Sequence, residues 1–492
     1  DFTNSTLNGA AGNDLFEIGS YDGSTNVMLP GQGNDTISIT GLNAVGTLNV
    51  AANAAGVAEI NKGNDVFNFN ASRGSTQLIG TINGGVGLDT MLVGAGVDFS
   101  NSQVNLNQGA DNFAISAVTT ENFINSKIGL GADNDSATIS STNGQTIALN
   151  AFTLAGGKGK DTLQMGLDDM ANSGNTVITM GGGADIISAA FNGTGLNSGS
   201  ILLRGDSGTD TITVVNSKEE ANSKFSIFGD ESIAASGAFN DLITYDLAMT
   251  AVALTGTIAG GGGADTINIT STQTAGAAGQ SIDGGFGADV IKLSGLPFAG
   301  TLNGGGGADS ISVELSSTGL TAQDGTNFMT IVGGAGNDTI ANTSLVTSNT
   351  HAGAAGYDFY STGLVATLGD FTTGDLFQLL GMKIANADAN VARSAFFTSS
   401  FTGLTAAAGQ GITGLANNNI SLFSDGDDVI LQILNGTGSV SNDATASAVG
   451  MAVIRFKANS AFGSNIAAAS GQLSAISFAY TQSLSGATFN FT

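Results

Sequence analysis

The sequence predicts an all-β fold: a right-handed parallel β-solenoid followed by a smaller, non-repeat, β-rich C-terminal region. Three observations carry that expectation. A Gly-Asp motif recurs at a spacing between 20 residues (Asp289 to Asp309) and 31 (Asp210 to Asp241). A short alternating apolar tail follows the motif, and a second apolar burst precedes most copies. Gly supplies 74 of 492 residues and Pro only two, about twice and far below average usage respectively. A period of this size marks one supersecondary unit repeated by stacking. The expected boundaries are 1–360 for the solenoid and 361–492 for the C-terminal region.

The motif is clearest in "GGGGADTINI" (260–269) and "GGGGADSISV" (304–313). Glycine costs chain entropy, so runs of it need a backbone reason. The full pattern GGxGxD occurs six times, ending at Asp89, Asp161, Asp265, Asp289, Asp309 and Asp338. Degenerate copies keep a glycine two places before the acid and end at Asp14, Asp35, Asp65, Asp111, Asp133, Asp185 and Asp210. Two copies are left out of the expected site. Asp241 has Phe239 in place of that glycine, and Asp358 stands where the rhythm ends.

Apolar residues sit two and four places after most of these acids, as Ile37 and Ile39, Phe67 and Phe69, Ile212 and Val214, Ile311 and Val313 do. That alternation predicts a short strand with one buried face. Bursts such as "NTVITM" (175–180) and "SILLRG" (200–205) predict a second strand returning toward the next motif. Each coil therefore holds two strands, and stacked coils make two parallel sheets across a thin core. Beyond Asp358, "ISLFSDGDDVILQILNG" (420–436) reads as two strands joined by an acidic turn, and "MAVIRFKA" and "GATFNFT" continue the alternation.

Composition bounds the chemistry. There is no Cys and one histidine, His351, which removes disulfides and thiolate sites and leaves almost no room for zinc or His-based catalysis. The net charge is −27, from 40 acidic and 13 basic residues, and only seven of the acids are Glu. Such a surface repels nucleic acid and anionic membrane and attracts divalent cations. No apolar run is long enough to span a bilayer. Asp168 and Asp169 read as an exposed loop pair, not as a glycosidase dyad. Thr211 and Thr213 form one outward Thr-x-Thr that neighbouring coils do not repeat, so an ice-binding face is not expected. No catalytic set emerges, and the chain is expected not to be an enzyme.

The repeated GGxGxD with its apolar tail resembles the RTX, or haemolysin-type, calcium-binding β-roll of secreted bacterial proteins, over about 7–360. In that family an ion sits between the same turn of neighbouring coils, held by carbonyls and aspartates of both. The resemblance thus implies calcium, about a dozen ions, along the thirteen aspartates from Asp14 to Asp338 named above. This chain departs from the tandem form: one turn of each coil carries the motif, and the opposite connection varies. The residue chemistry agrees. Glycines let carbonyls turn inward, the aspartate adds carboxylate oxygen, and an all-oxygen flexible loop suits Ca²⁺ better than Mg²⁺ or zinc.

The region after the repeats resembles the C-terminal cap and type I secretion region that follows such repeats. The chain opens at Asp1 without a basic leader, so no N-terminal export signal is expected. Nothing in 1–14 reads as a cap for the first coil. Either upstream residues were removed, or another subunit pairs there, which implies head-to-tail assembly. The expected function is a secreted, calcium-dependent structural protein of a bacterial surface: an S-layer-like lattice, filament or matrix component. Its expected partners are further copies of itself and, on the cell, a surface polysaccharide. The alternative is a calcium-binding module of a larger secreted enzyme or adhesin.

Overall fold

In a computed structural model the described residues are 6–19, 26–40, 46–50, 62–70, 76–94, 96–117, 121–141, 145–171, 174–192, 199–216, 224–230, 239–247, 255–271, 279–295, 300–315 and 330–342, followed by the strands between 363 and 491 given below. Among them there is no helix; the chain is an all-β parallel solenoid. It forms two compact units. The first comprises Asp1–Ser232, Phe239–Met249 and Leu254–Gly256, and the second Ile233–Ala238, Thr250–Ala253 and Thr257–Thr492.

In the first unit, the strand leaving each aspartate pairs in parallel with its counterpart one coil on. This motif sheet runs from Leu15–Ile18 and Thr36–Ile39 through Ser136–Ser141 to Thr211–Asn216 and Leu242–Leu247. The return sheet runs from Thr6–Asn8 to Lys224–Phe228. Register is uniform: residues two and four after one aspartate lie beside those two and four after the next. Alternation therefore sends the same positions inward in every coil. Ile37, Phe67, Phe113, Leu163, Ile187, Ile212 and Ile243 are all at most 1% exposed.

A third, short sheet was not expected. Val97–Asp98, Glu121–Asn122, Thr146–Ala148 and Asp169–Ala171 pair in parallel along the connection opposite the motif. The coils there are three-sided, and the corner is filled by rings. Phe69 meets Phe99 edge-on at 6.2 Å, Phe99 stacks on Phe123 at 5.8 Å, and Phe123 meets Phe152 at 6.2 Å. Such pairs add about 1 kcal/mol each beyond the area they bury. Asp169, read from sequence as a loop residue, begins the last of these strands, because its segment inherits the register of Thr146–Ala148 beneath it. Asp168 sits half-buried at the preceding bend, its N–H bonded to Ser141 Oγ.

In the second unit the motif sheet comprises Thr266–Ser271, Val290–Gly295, Ser310–Leu315, Thr339–Asn342 and Leu376–Leu380. Its return sheet includes Gly279–Phe286, Thr301–Gly306, Thr330–Ala335 and Gly363–Leu368. Pairing then changes sense. Gly363–Leu368 takes Met451–Phe456 as a parallel neighbour, and antiparallel Asp428–Leu434 and Ile420–Asp425 follow. Leu376–Leu380 takes Gly486–Phe491 antiparallel, followed by Phe478–Ser483. The two strands expected within 420–436 are thus a hairpin, Asp425 opposite Asp428; its tip residue Asp427 lies outside the described residues. Both sheets of this unit end in antiparallel strands, which occupy the edge that a further coil would otherwise pair with.

An aspartate column as candidate metal-binding edge

The motif aspartates stand one above another at the turn between return and motif strands. In the first unit the N–H of each donates to Oδ1 of the next coil's aspartate. The series passes from Asp14 through Asp35, Asp65, Asp89, Asp111, Asp135, Asp161, Asp185 and Asp210 to Asp241, at 2.7–2.9 Å throughout. In the second unit the same bond joins Asp265 to Asp289, Asp289 to Asp309 and Asp309 to Asp338, at 2.8–2.9 Å. Every member from Asp35 onward is buried.

Glycine makes the column possible by letting coils approach. Gly208, two places before Asp210, has φ +140, and a Cβ on it would stand 1.3 Å from the carbonyl oxygen of Gly183 one coil below. Five places before the acid, a Cβ on Gly284 would stand 2.5 Å from Asp289 Oδ2 and 2.3 Å from the carbonyl oxygen of Gly304. The first glycine serves backbone contact, the second makes room for the carboxylate.

Twelve of the thirteen expected residues lie in these columns. Asp133 does not. It is exposed, with φ +83, and occupies the turn position that glycine holds in other coils. Asp135 takes the column place, accepting from Asp111 N–H and donating to Asp161 Oδ1, each at 2.8 Å. An Asp tolerates left-handed backbone better than most residues, so the glycine criterion misassigned this coil. The apolar tail held the correct signal, since Ala137 and Ile139 fall two and four places after Asp135. Asp241, left out for lack of the glycine, is in the column and accepts from Asp210 N–H at 2.7 Å. Asp358 lies outside the described residues.

With Oδ1 engaged, the second oxygen is the anomaly. At Asp14, Asp35, Asp89, Asp111, Asp135, Asp161, Asp185, Asp210, Asp289 and Asp309, Oδ2 is buried and meets no hydrogen-bond donor. A buried acceptor without a donor costs about 1–3 kcal/mol, and more when it carries charge. Burial pushes Asp35, Asp89, Asp111, Asp135, Asp161, Asp185, Asp210, Asp289 and Asp309 up, opposed by the N–H each accepts and, at all but Asp161, reinforced by neighbouring carboxylates. Asp89, Asp111, Asp135, Asp210 and Asp309 reach about 7, and Asp185 and Asp289 about 6. Asp35 and Asp161 are raised for the same leading reason.

The donor set is all oxygen: a carboxylate Oδ2 and, as at Gly284, a next-coil carbonyl beside it. That set fits a hard cation such as Ca²⁺ and offers nothing to a soft one. Among the described residues no three acidic or histidine side chains gather round one point. A cation here would therefore be held by one or two aspartates at each level, completed by main-chain carbonyls. Fold and site together define a parallel β-solenoid with a stacked aspartate edge. Comparison of the chain with protein-family models, with curated proteins and with solved structures finds no match.

Proposed function

We propose that this chain is a secreted, calcium-dependent structural protein that self-assembles into a surface layer, filament or matrix. The observation that carries the calcium part is the file of buried Oδ2 atoms without donors, repeated coil after coil on a chain of net charge −27. Successive column residues lie one strand apart, about 4.8 Å, and neighbouring ionised carboxylates at that distance repel by roughly 3 kcal/mol at an effective dielectric of about 20. Bound calcium would supply the missing positive charge and satisfy the orphaned oxygens. The aspartates hold the ions, their Oδ1 atoms fix the turn through the N–H bond, and the glycines keep the coils close enough to share them. Cation binding and stacking then become one equilibrium.

The structural role and self-assembly rest on the repeat itself: the described coils devote their side chains to packing and to the turn, and the composition supplies no nucleophile-base pair of the usual kinds. Secretion and a bacterial surface location follow from the family resemblance. The test is calcium binding by equilibrium dialysis at pH 8, combined with electron microscopy of the purified protein with and without calcium. About a dozen ions per chain and ordered assemblies only in calcium are expected. Fewer than two ions, or no assemblies in calcium, overturns the proposal.

A further inference from the structure

On a chain of net charge −27, one large face carries no charge. It is the outer face of the first unit's motif sheet, over the eight strands from Thr36–Ile39 to Thr211–Asn216. Its outward positions, one, three and five after each column aspartate, hold Thr, Ser, Asn, Gln, Ala, Gly, Val, Leu and Ile, and from Thr36 to Val215 no charged residue. Charge returns only beyond these limits, at Glu17 and Asp246. The outer face of the same unit's return sheet, by contrast, bears Lys127, Arg204 and Lys224. The stacked fold does not demand this difference, since both sheets point alternate residues to solvent.

We infer that this neutral face is where two copies of the chain meet, sheet against sheet. The inference rests on the self-assembling reading above and names its surface. Three features select a second copy as the occupant. No side chain on this face sets a like charge against its twin. Seven strand spacings by four to six residues give about 550 Å² per copy, about 1,100 Å² for a pair, just above the roughly 1,000 Å² a specific interface needs. The apolar anchors are also placed self-complementarily. Leu92 is 38% exposed and Ile186 48%, and their strands lie two places either side of Ser136–Ser141. Leu92 stands three places after its aspartate and Ile186 one, in the rows of Ser188 and Thr90 respectively. A two-fold axis over that central strand and inclined to it, as in aligned sheet packing, therefore sets Leu92 against Ile186 of the partner subunit, twice, as an isologous interface requires.

The test is sedimentation velocity in calcium over a concentration series, with circular dichroism confirming the fold of each variant. Thr138→Glu places like charges beside the axis, and Ile186→Glu breaks an anchor contact. Each should raise the dissociation constant of the pair at least about tenfold, whereas Thr179→Glu on the return sheet should leave it unchanged. Because the chain lacks cysteine, the double variant Leu92→Cys/Ile186→Cys should oxidise to a covalent dimer, and Leu92→Cys/Thr179→Cys should not. Association in calcium indifferent to Thr138→Glu and Ile186→Glu overturns this face while leaving self-assembly standing. A monomer at high concentration in calcium overturns both.

Discussion

At the scale of single residues, the turn assigns separate tasks to positions that look alike in the sequence. Gly183 (φ +152) has the carbonyl oxygen of Gly159 1.5 Å from where a Cβ would be, whereas a Cβ on Gly166 would meet nothing within 4 Å. Gly183→Ala should lower stability by about 3 kcal/mol or more, and Gly166→Ala should leave it unchanged or raise it by about 0.5 kcal/mol; urea midpoints read both. The acids divide similarly. Asp135→Asn should remove part of the stabilisation by calcium, and Asp133→Asn should not, measured as the melting-temperature rise on adding calcium. In chelator at pH 8 the order changes: Asp161→Asn keeps the Oδ1 acceptor for Asp135 N–H, loses a buried negative charge, and should be at least as stable as the parent. The glycine rule located twelve column residues because close coil approach demands it. It failed at Asp133, because an aspartate can adopt the same left-handed backbone, and at Asp241, which holds its column place with Phe239 where other coils have glycine.

At the scale of elements, the strands of both sheets were legible because alternation and burial are the same fact seen twice. The third sheet was not. Its strands are two or three residues long, too short for periodicity to register, and they exist because each coil templates the next. One trace was available: "FSNS" (99–102) and "FINS" (123–126) repeat at the coil spacing and place Phe99 and Phe123 in the ring stack. The column as an element carries the pH dependence. Nine of its members, Asp35, Asp89, Asp111, Asp135, Asp161, Asp185, Asp210, Asp289 and Asp309, are raised from an ordinary value of 3.8, five of them to about 7. Between about pH 4 and 7 the folded chain then holds more protons than the unfolded one. Stability without calcium should be greatest below that window and fall as pH rises through it. Denaturation midpoints in chelator should be higher at pH 5 than at pH 8. With calcium saturating, the trend should reverse, because protons compete with the ion for Oδ2.

At the scale of the whole molecule, the chain sets 14 of its 40 acidic residues in the columns inside its own repeat, and that charge must be neutralised. Protons can neutralise it in acid, and on the proposed function cations do so at neutral pH. Oδ1 accepts the neighbouring coil's N–H in the structure, and a cation or proton on Oδ2 would leave that ladder in place. Chelation at pH 8 should therefore weaken the sheet signal in far-ultraviolet circular dichroism, and acidification in the same chelator should restore part of it. The most direct measurement is thermal unfolding at pH 8 with calcium and with excess chelator. Each site filled at one hundred times its dissociation constant adds about 2.7 kcal/mol, so several filled sites should separate the two curves by tens of degrees. Superimposable curves would contradict the claim that the aspartate column is closed by cations.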